Sequence, residues 1–198
     1  MGKQDASTAQ SAFAFQAEPY PVEQGTVYWI TGLAAAGKTT VATKLCEHLR
    51  RSGRPAVLLD GDRLRAVLGA EAAFAPEERR RLAMTYGRLC RELAEQGIDV
   101  VCATISMFHA VREWNRAQID RYCEVFLRVP FDVLRRRDPK GIYARHELGE
   151  QKQVVGQDLE PELPRSPDLV IDNDGAMTPD EAVDLIVKAA CDPARAVA

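Results

Sequence analysis

Val27-Tyr28-Trp29-Ile30-Thr31-Gly32-Leu33-Ala34-Ala35-Ala36-Gly37-Lys38-Thr39-Thr40 is the stretch from which the rest of the chain can be read. Its first five residues are an apolar run rich in β-branched and aromatic side chains and ended by glycine, the pattern of a buried strand. The next eight, Gly32 to Thr39, form a complete phosphate-binding loop that opens a helix-patterned segment. Small residues let the backbone curl so that its N–H groups surround a polyphosphate, and the helix turns its positive dipole end to the same anion. Lys38 is placed to reach the β- and γ-phosphates, and Thr39 to offer a hydroxyl to Mg²⁺. At average composition the eight-residue pattern arises by chance in on the order of one chain in a hundred. The strand before it and the helix after it make accident rarer still.

The chain has 198 residues and a formal net charge of -3. That length suits one domain with its own core. The acidic balance argues against a nucleic-acid or membrane-surface partner, either of which favours a basic face. Cys46, Cys90, Cys102, Cys123 and Cys191 are odd in number and contain no Cys-x-x-Cys pair, so neither a disulfide framework nor a zinc site is expected. They read as small buried hydrophobes in a protein of the reducing cytoplasm. No apolar stretch has the length of a membrane span, and the N-terminus lacks the basic start and apolar core of an export signal. Residues 1–24, rich in Ala, Ser and Gln, read as a flexible leader ahead of a domain spanning 25–198. Phe13, Phe15 and Tyr20 offer a means of docking it.

Further strand-like runs lie at Ala56 to Leu59, Val100 to Ile105, Val125 to Val129 and Leu169 to Ile171. Helical spacing over Thr40 to Arg51 aligns Val41, Leu45 and Leu49, and over Pro76 to Gln96 it aligns Leu82, Tyr86, Leu89 and Leu93. Thr178-Pro179-Asp180-Glu181 carries a cap, a first-turn proline and a capping-box glutamate, and so starts a terminal helix. Apolar strands alternating with helices predict a three-layer α/β/α domain on a mostly parallel five-stranded sheet, with ligands outside the carboxyl ends of the strands.

At those ends the sequence concentrates its chemistry. Asp60-Gly61-Asp62 follows the second strand, where one carboxylate can support Mg²⁺ and the other can orient or deprotonate a hydroxyl. A helix N-cap is the alternative reading of the same triplet. The third strand runs into Ala103-Thr104-Ile105-Ser106-Met107-Phe108-His109. Phe108 there is either a ring that stacks on a base or a core aromatic under a loop, and His109 reads as a surface or packing residue. Arg135-Arg136-Arg137 opens a basic, weakly periodic segment over about 135–167 that reads as a lid over the triphosphate. At least one of Arg135 and Arg136 is expected on a solvated helix face.

From Val27 to Asn173 the chain resembles the adenylylsulfate kinases. The likeness runs through the phosphate loop, Leu59-Asp60-Gly61-Asp62, Glu78-Arg79, Ile105-Ser106, Arg137-Asp138-Pro139-Lys140-Gly141-Ile142-Tyr143 and Pro167-Asp168-Leu169-Val170-Ile171-Asp172. The resemblance implies a P-loop kinase fold, a homodimer, ATP with Mg²⁺, and phosphorylation of the ribose 3'-hydroxyl of adenylylsulfate. It implies that Gly32, Leu33, Ala34, Ala35, Ala36, Gly37, Lys38, Thr39, Thr40 and Arg137 serve the donor. It likewise implies that Asp62, Arg65, Arg79, Ile105, Ser106, Phe108, Lys140, Val154 and Val155 serve the acceptor, with Lys38, Asp60 and Asp62 catalytic and Thr39 and Asp60 at the metal. Departures gather on the acceptor side. Leu82, Met84 and Thr85 replace an Asn and an Arg pair, Met107 and His109 replace Pro and Arg of a Ser-Pro-aromatic-Arg motif, and Val154-Val155-Gly156 replaces Phe-Thr-Gly. Together with Cys102 to Phe108, Val111-Arg112 and Trp114-Asn115-Arg116, these replacements are similar to the cytidine diphosphoramidate kinases. The expected activity is therefore ATP-dependent phosphorylation of a cytidine diphosphoramidate-like acceptor. Adenylylsulfate as acceptor, or a nucleotide-binding pseudokinase, are the alternatives.

Overall fold

The central strand β1 (Val27–Thr31) is buried along its whole length because both of its faces are covered. Tyr28 and Ile30 point into one apolar cluster and Val27 and Trp29 into another, the period-two alternation of a strand between two helical layers. The structure is a computed structural model and describes residues 23–70 and 75–190. The remaining strands are β2 (Ala56–Asp60), β3 (Asp99–Thr104), β4 (Tyr122–Arg128) and β5 (Leu169–Asp172). They form one parallel sheet in the order β2-β3-β1-β4-β5. The first cluster joins the sheet to α1 (Lys38–Arg51) and to the terminal helix Pro179–Ala190 through Val41, Leu45, Leu49, Val183 and Ile186. The second joins it to α3 (Pro76–Glu95) and α4 (His109–Gln118) through Tyr86, Cys90 and Val111. The short helix α2 (Gly61–Val67) lies between β2 and α3 in the chain.

Element boundaries differ from the sequence reading where a polar residue is buried. The fourth strand starts at Tyr122 rather than Val125 because Glu124 is only 3 % exposed, its carboxylate lying 3.3 Å from both Arg112 Nε and Arg116 Nη2. Charge pairing of this kind makes a buried carboxylate tolerable. The third strand starts one residue early at buried Asp99, which accepts from Thr26 N at 2.8 Å and pairs with Arg54. Helices α2 and α4, α5 (Phe131–Arg137) and α6 (Ile142–Glu147) were not assigned from periodicity. Three of them are a pair of turns long or less, too short for an apolar period to repeat. The terminal helix α7 (Pro179–Ala190) has the expected cap, Thr178 N donating to Glu181 Oε2 at 2.8 Å and Glu181 N to Thr178 Oγ1 at 3.3 Å. Cys46, Cys90, Cys102 and Cys123 are all buried. Residues 1–22, 71–74 and 191–198 lie outside the described residues, and with them the leader and its aromatic residues and Cys191.

Candidate active site

Between β1 and α1 the phosphate loop has its shape imposed by sterics. Gly37 has φ of +86°, and a Cβ there would stand 2.6 Å from Asn173 Nδ2. A Cβ on Gly32 would stand 2.8 Å from the Leu127 carbonyl oxygen, so the loop lies directly on β4. Ala35 adopts φ of +62°, a conformation that costs a non-glycine residue on the order of 1–3 kcal/mol and recurs at ligand-binding sites. Two side chains from outside hold the curl: Asn173 Nδ2 donates to Ala36 O at 2.8 Å and the Tyr143 hydroxyl to Ala34 O at 3.0 Å. Lys38 Nζ folds back to donate to Leu33 O at 2.7 Å. Its residue as a whole is only partly buried, but its ammonium end is withdrawn from water. That desolvation lowers its pKa to about 8, against the opposing pull of the Asp62 charge, with Lys140 lowering it further.

Asp60 ends β2 and is 8 % exposed. One of its oxygens accepts from Asp62 N at 3.0 Å and Arg63 N at 3.4 Å, capping α2, while the other accepts from the Thr39 hydroxyl at 2.7 Å. The cap reading of the triplet is therefore realised, and the second carboxylate oxygen faces the phosphate loop. An aligned hydroxyl and carboxylate, both oxygen donors, suit a hard cation such as Mg²⁺, which takes few protein ligands and completes its shell with phosphate and water. Among the described residues no group of three or more His, Cys, Asp or Glu side chains gathers as a softer metal would require. Asp62 stands exposed in the first turn of α2 and forms an ion pair with Lys140.

Donor loop, aspartates and basic side chains open onto one cleft of about 890 Å³. From the phosphate-loop side it is lined by Lys38, Thr39, Arg137 and Asn173 among others, and from the side of α2, α3 and the turn after β3 by Arg65, Arg79, Leu82, Tyr86, Ser106 and Phe108. Asp60, Asp62 and Lys140 stand on the same wall system. Gly32, Leu33 and Ala36 contribute through the loop backbone rather than as lining. Burial, and then the neighbouring Arg65 charge, weaken the hold of Arg79 on its proton, so an anion between the two guanidiniums would relieve their repulsion. Arg79 also donates to Gln153 O at 2.8 Å. Ser106 is fixed by a 2.6 Å hydrogen bond between its hydroxyl and that of Thr104, and Thr31 donates to Ile105 O at 2.6 Å. Phe108 packs against the second core cluster, as a core aromatic under a loop does, and also lines the cleft.

Val154 and Val155 are not brought into the cleft. Asp158 accepts from the amides of Gln153 and Val154 and turns the chain so that Val154, 4 % exposed, enters the first core cluster. Val155 bridges to Leu159, and a Cβ on Gly156 would stand 3.1 Å from Leu33 Cδ1. The segment is seated on the phosphate loop instead. His109 points away as well, its amide donating to Glu162 and its Nδ1 lying 2.7 Å from Arg112 Nη2. Arg135 and Arg136 are exposed and paired with Glu147 and Asp132, leaving Arg137 to the cleft. Asn173, Tyr143 and Tyr86 were not singled out as site residues from sequence. Asn173 had a usable signal, since it follows β5 as Asp60 ends β2, at the ligand-binding edge of the sheet.

The sequence pattern of the family described as adenylylsulphate kinase matches residues 24–172. The chain belongs to the adenylylsulphate kinase family. As a member it is a phosphotransferase, and ATP is the substrate that this family uses in common. It is 35 % identical over 167 residues to a probable adenylyl-sulfate kinase of Pyrococcus abyssi, covering 84 % of this chain and 95 % of that protein. It is 37 % identical over 162 residues to the cytidine diphosphoramidate kinase of Campylobacter jejuni, covering 82 % and 94 %. Among solved structures it is similar to the Mycobacterium tuberculosis APS kinase in complex with AMPPNP and APS. That likeness has a TM-score of 0.78 at 32 % identity and covers 84 % of this chain and 97 % of that one. The parallel five-stranded α/β/α sheet expected from the strand pattern is present, and the P-loop kinase fold implied by the resemblance is that of this family. No described helix is long and apolar enough to cross a membrane.

Proposed function

We propose that this kinase transfers the γ-phosphoryl group of ATP to the ribose 3'-hydroxyl of a small nucleotide, with cytidine diphosphoramidate or a near analogue as the favoured acceptor. The observation that carries the reading is the acceptor end of the cleft, where Leu82 and Phe108 present an apolar wall beside the Arg65–Arg79 pair while His109 is engaged elsewhere. A compact pyrimidine against that wall, with its phosphates toward the arginines, satisfies both surfaces. Val154, in the core, and Val155, bridged to Leu159, both lie off the cleft and add nothing to this preference.

In the reaction the bond from the γ-phosphorus to the bridging oxygen of ADP breaks as the bond to the 3'-oxygen forms. Asp62 is the group placed to orient the hydroxyl and take its proton, once its pairing with Lys140 is exchanged for the substrate. Lys38 and the loop amides meet the donor phosphates, and Arg137 approaches from the other wall. Thr39 and Asp60 would hold Mg²⁺, which when bound neutralises charge on the phosphate oxygens. Segment 135–167 then acts as a cover that excludes water, and the homodimer remains part of the reading.

Adenylylsulfate is the second reading. It is favoured by the presence of Arg65 and Arg79 on the cleft and by the 32 % identity to a kinase solved with AMPPNP and APS. ADP release with Mg·ATP and a panel of nucleotide acceptors separates the two. Two or three unmatched contacts at roughly 1–3 kcal/mol each should place adenylylsulfate at least about a hundredfold below the best acceptor in kcat/KM. A value within tenfold of the best acceptor establishes the second reading instead.

A further inference from the structure

The helix that carries Asp62 is short, and its first turn is capped by the Asp60 carboxylate. Helix α2 is seven residues long, Leu64 is its one buried residue, and the chain beyond it runs out through exposed Val67 and Leu68. From the β3 side the turn is in close contact, since a Cβ on Gly61 would stand 3.2 Å from Thr104 Oγ1 and 3.3 Å from Ala103 O. From the α3 side the Tyr86 hydroxyl donates to Gly61 O at 3.2 Å, beside the packing of Leu64 in the second core cluster. Tyr86 is 2 % exposed, rises from the middle of a twenty-residue helix and packs in the second core cluster, so its ring is a rigid strut.

We propose that Tyr86 is a positioning residue of the phosphoryl-transfer reaction, its hydroxyl fixing the Gly61 carbonyl and so the turn that presents Asp62 to the acceptor. Burial pushes the phenol up to about 12, so it keeps its donor proton throughout the working range of the enzyme. Leucine or isoleucine would fill this space on α3 without reaching Gly61. The cost of a tyrosine hydroxyl in an apolar cluster is met by one backbone carbonyl, and that carbonyl shares a peptide group with the Asp62 amide. The inference rests on the reading of Asp62 as the group that meets the acceptor hydroxyl.

Tyr86→Phe keeps the ring and deletes the bond. It should lower kcat about three- to tenfold, the range of one neutral hydrogen bond, and leave the KM for ATP unchanged. In an Asp62→Asn background the same change should have no further effect on kcat, because Tyr86 acts through that carboxylate. Both cytidine diphosphoramidate and adenylylsulfate are used as acceptors. Amide hydrogen exchange of the ligand-free protein supplies a readout independent of any acceptor: exchange at Asp62 and Arg63 should quicken severalfold in Tyr86→Phe while that of α7 stays as in the parent. If Asp62→Asn itself leaves kcat intact, the reading of Asp62 has failed. If Asp62→Asn is slow but the two substitutions multiply, or if exchange at Asp62 and Arg63 is unchanged, Tyr86 is a packing residue and the proposal is overturned.

Discussion

Above neutral pH, ATP should bind this kinase with uptake of a proton by Lys38. The ammonium end of that side chain is desolvated in the ligand-free cleft, which lowers its pKa to about 8, whereas a triphosphate laid against it favours the charged form. Only the protonated amine binds well. At pH 7 about nine-tenths of the free protein carries that form, at pH 8 about half, and at pH 9 about a tenth, so affinity should fall roughly tenfold from pH 7 to pH 9. The sign follows from the lowered value, because the proton is lost from the free state before it is lost from the complex. Titration calorimetry at pH 8, in Tris and in a buffer of low ionisation enthalpy, should give observed enthalpies that differ by about half the difference in ionisation enthalpy. Lys38→Arg keeps a charge across this range and should abolish the difference. Lys140→Ala removes a neighbouring positive charge and should move the midpoint to higher pH, and Asp62→Asn should move it lower. Equal enthalpies in the two buffers at pH 8, with tight binding, would refute the desolvation argument.

Asp62→Asn should lower kcat by at least about a hundredfold, within the range for loss of a general base, and leave the ATP dissociation constant within about threefold. Loss of ATP affinity with kcat retained would place Asp62 at the donor. Gly37→Ala combines a left-handed backbone with a Cβ 2.6 Å from Asn173 Nδ2, so it should weaken ATP binding and lower Tm, by about 2 kcal/mol in all. Asn173→Gly in the same chain should recover part of the loss in thermal melts. Val154→Ala should cost about 1–3 kcal/mol of stability in urea unfolding, as a core truncation does, while the acceptor KM stays unchanged. A raised KM at unchanged stability would return Val154 to the acceptor site.

The fold was legible because its signals are local. An apolar run, a glycine-bounded loop and a helical period identify β1, the phosphate loop and α1 within thirty residues, and Thr178 to Glu181 writes its own cap. The short helices were not legible because α2 is determined by the cap that Asp60 supplies and α5 by what it packs on, not by their own periodicity. Around the cleft, the residues at strand ends were found because every carboxyl end of a parallel sheet meets at one edge. Val154 was misplaced for the converse reason. Its direction is decided by Asp158, four residues on, accepting its amide, and no residue-by-residue spacing reports on such a turn. Tyr86 was read as one apolar position among four on a helix face, and only its contact with Gly61 across the fold sets it apart.

The two ends of the cleft are made of different material. The donor end is framed by the loop's main chain, closed against Leu127 O and Asn173 so tightly that Gly32 and Gly37 have no room for a methyl group. The acceptor end is side chain, projected from α2, α3 and the turn after β3. Variation therefore falls unequally on the two halves: almost any change at the donor end damages the loop, whereas Leu82, a partly buried side chain on an intact helix, can be exchanged without disturbing a backbone atom. On the proposed acceptor reading, a few helix-face substitutions should change the nucleotide accepted while ATP use stays constant. A saturation library should record this as a map, with intolerance concentrated along Gly32 to Thr39 and new acceptors arising from α3.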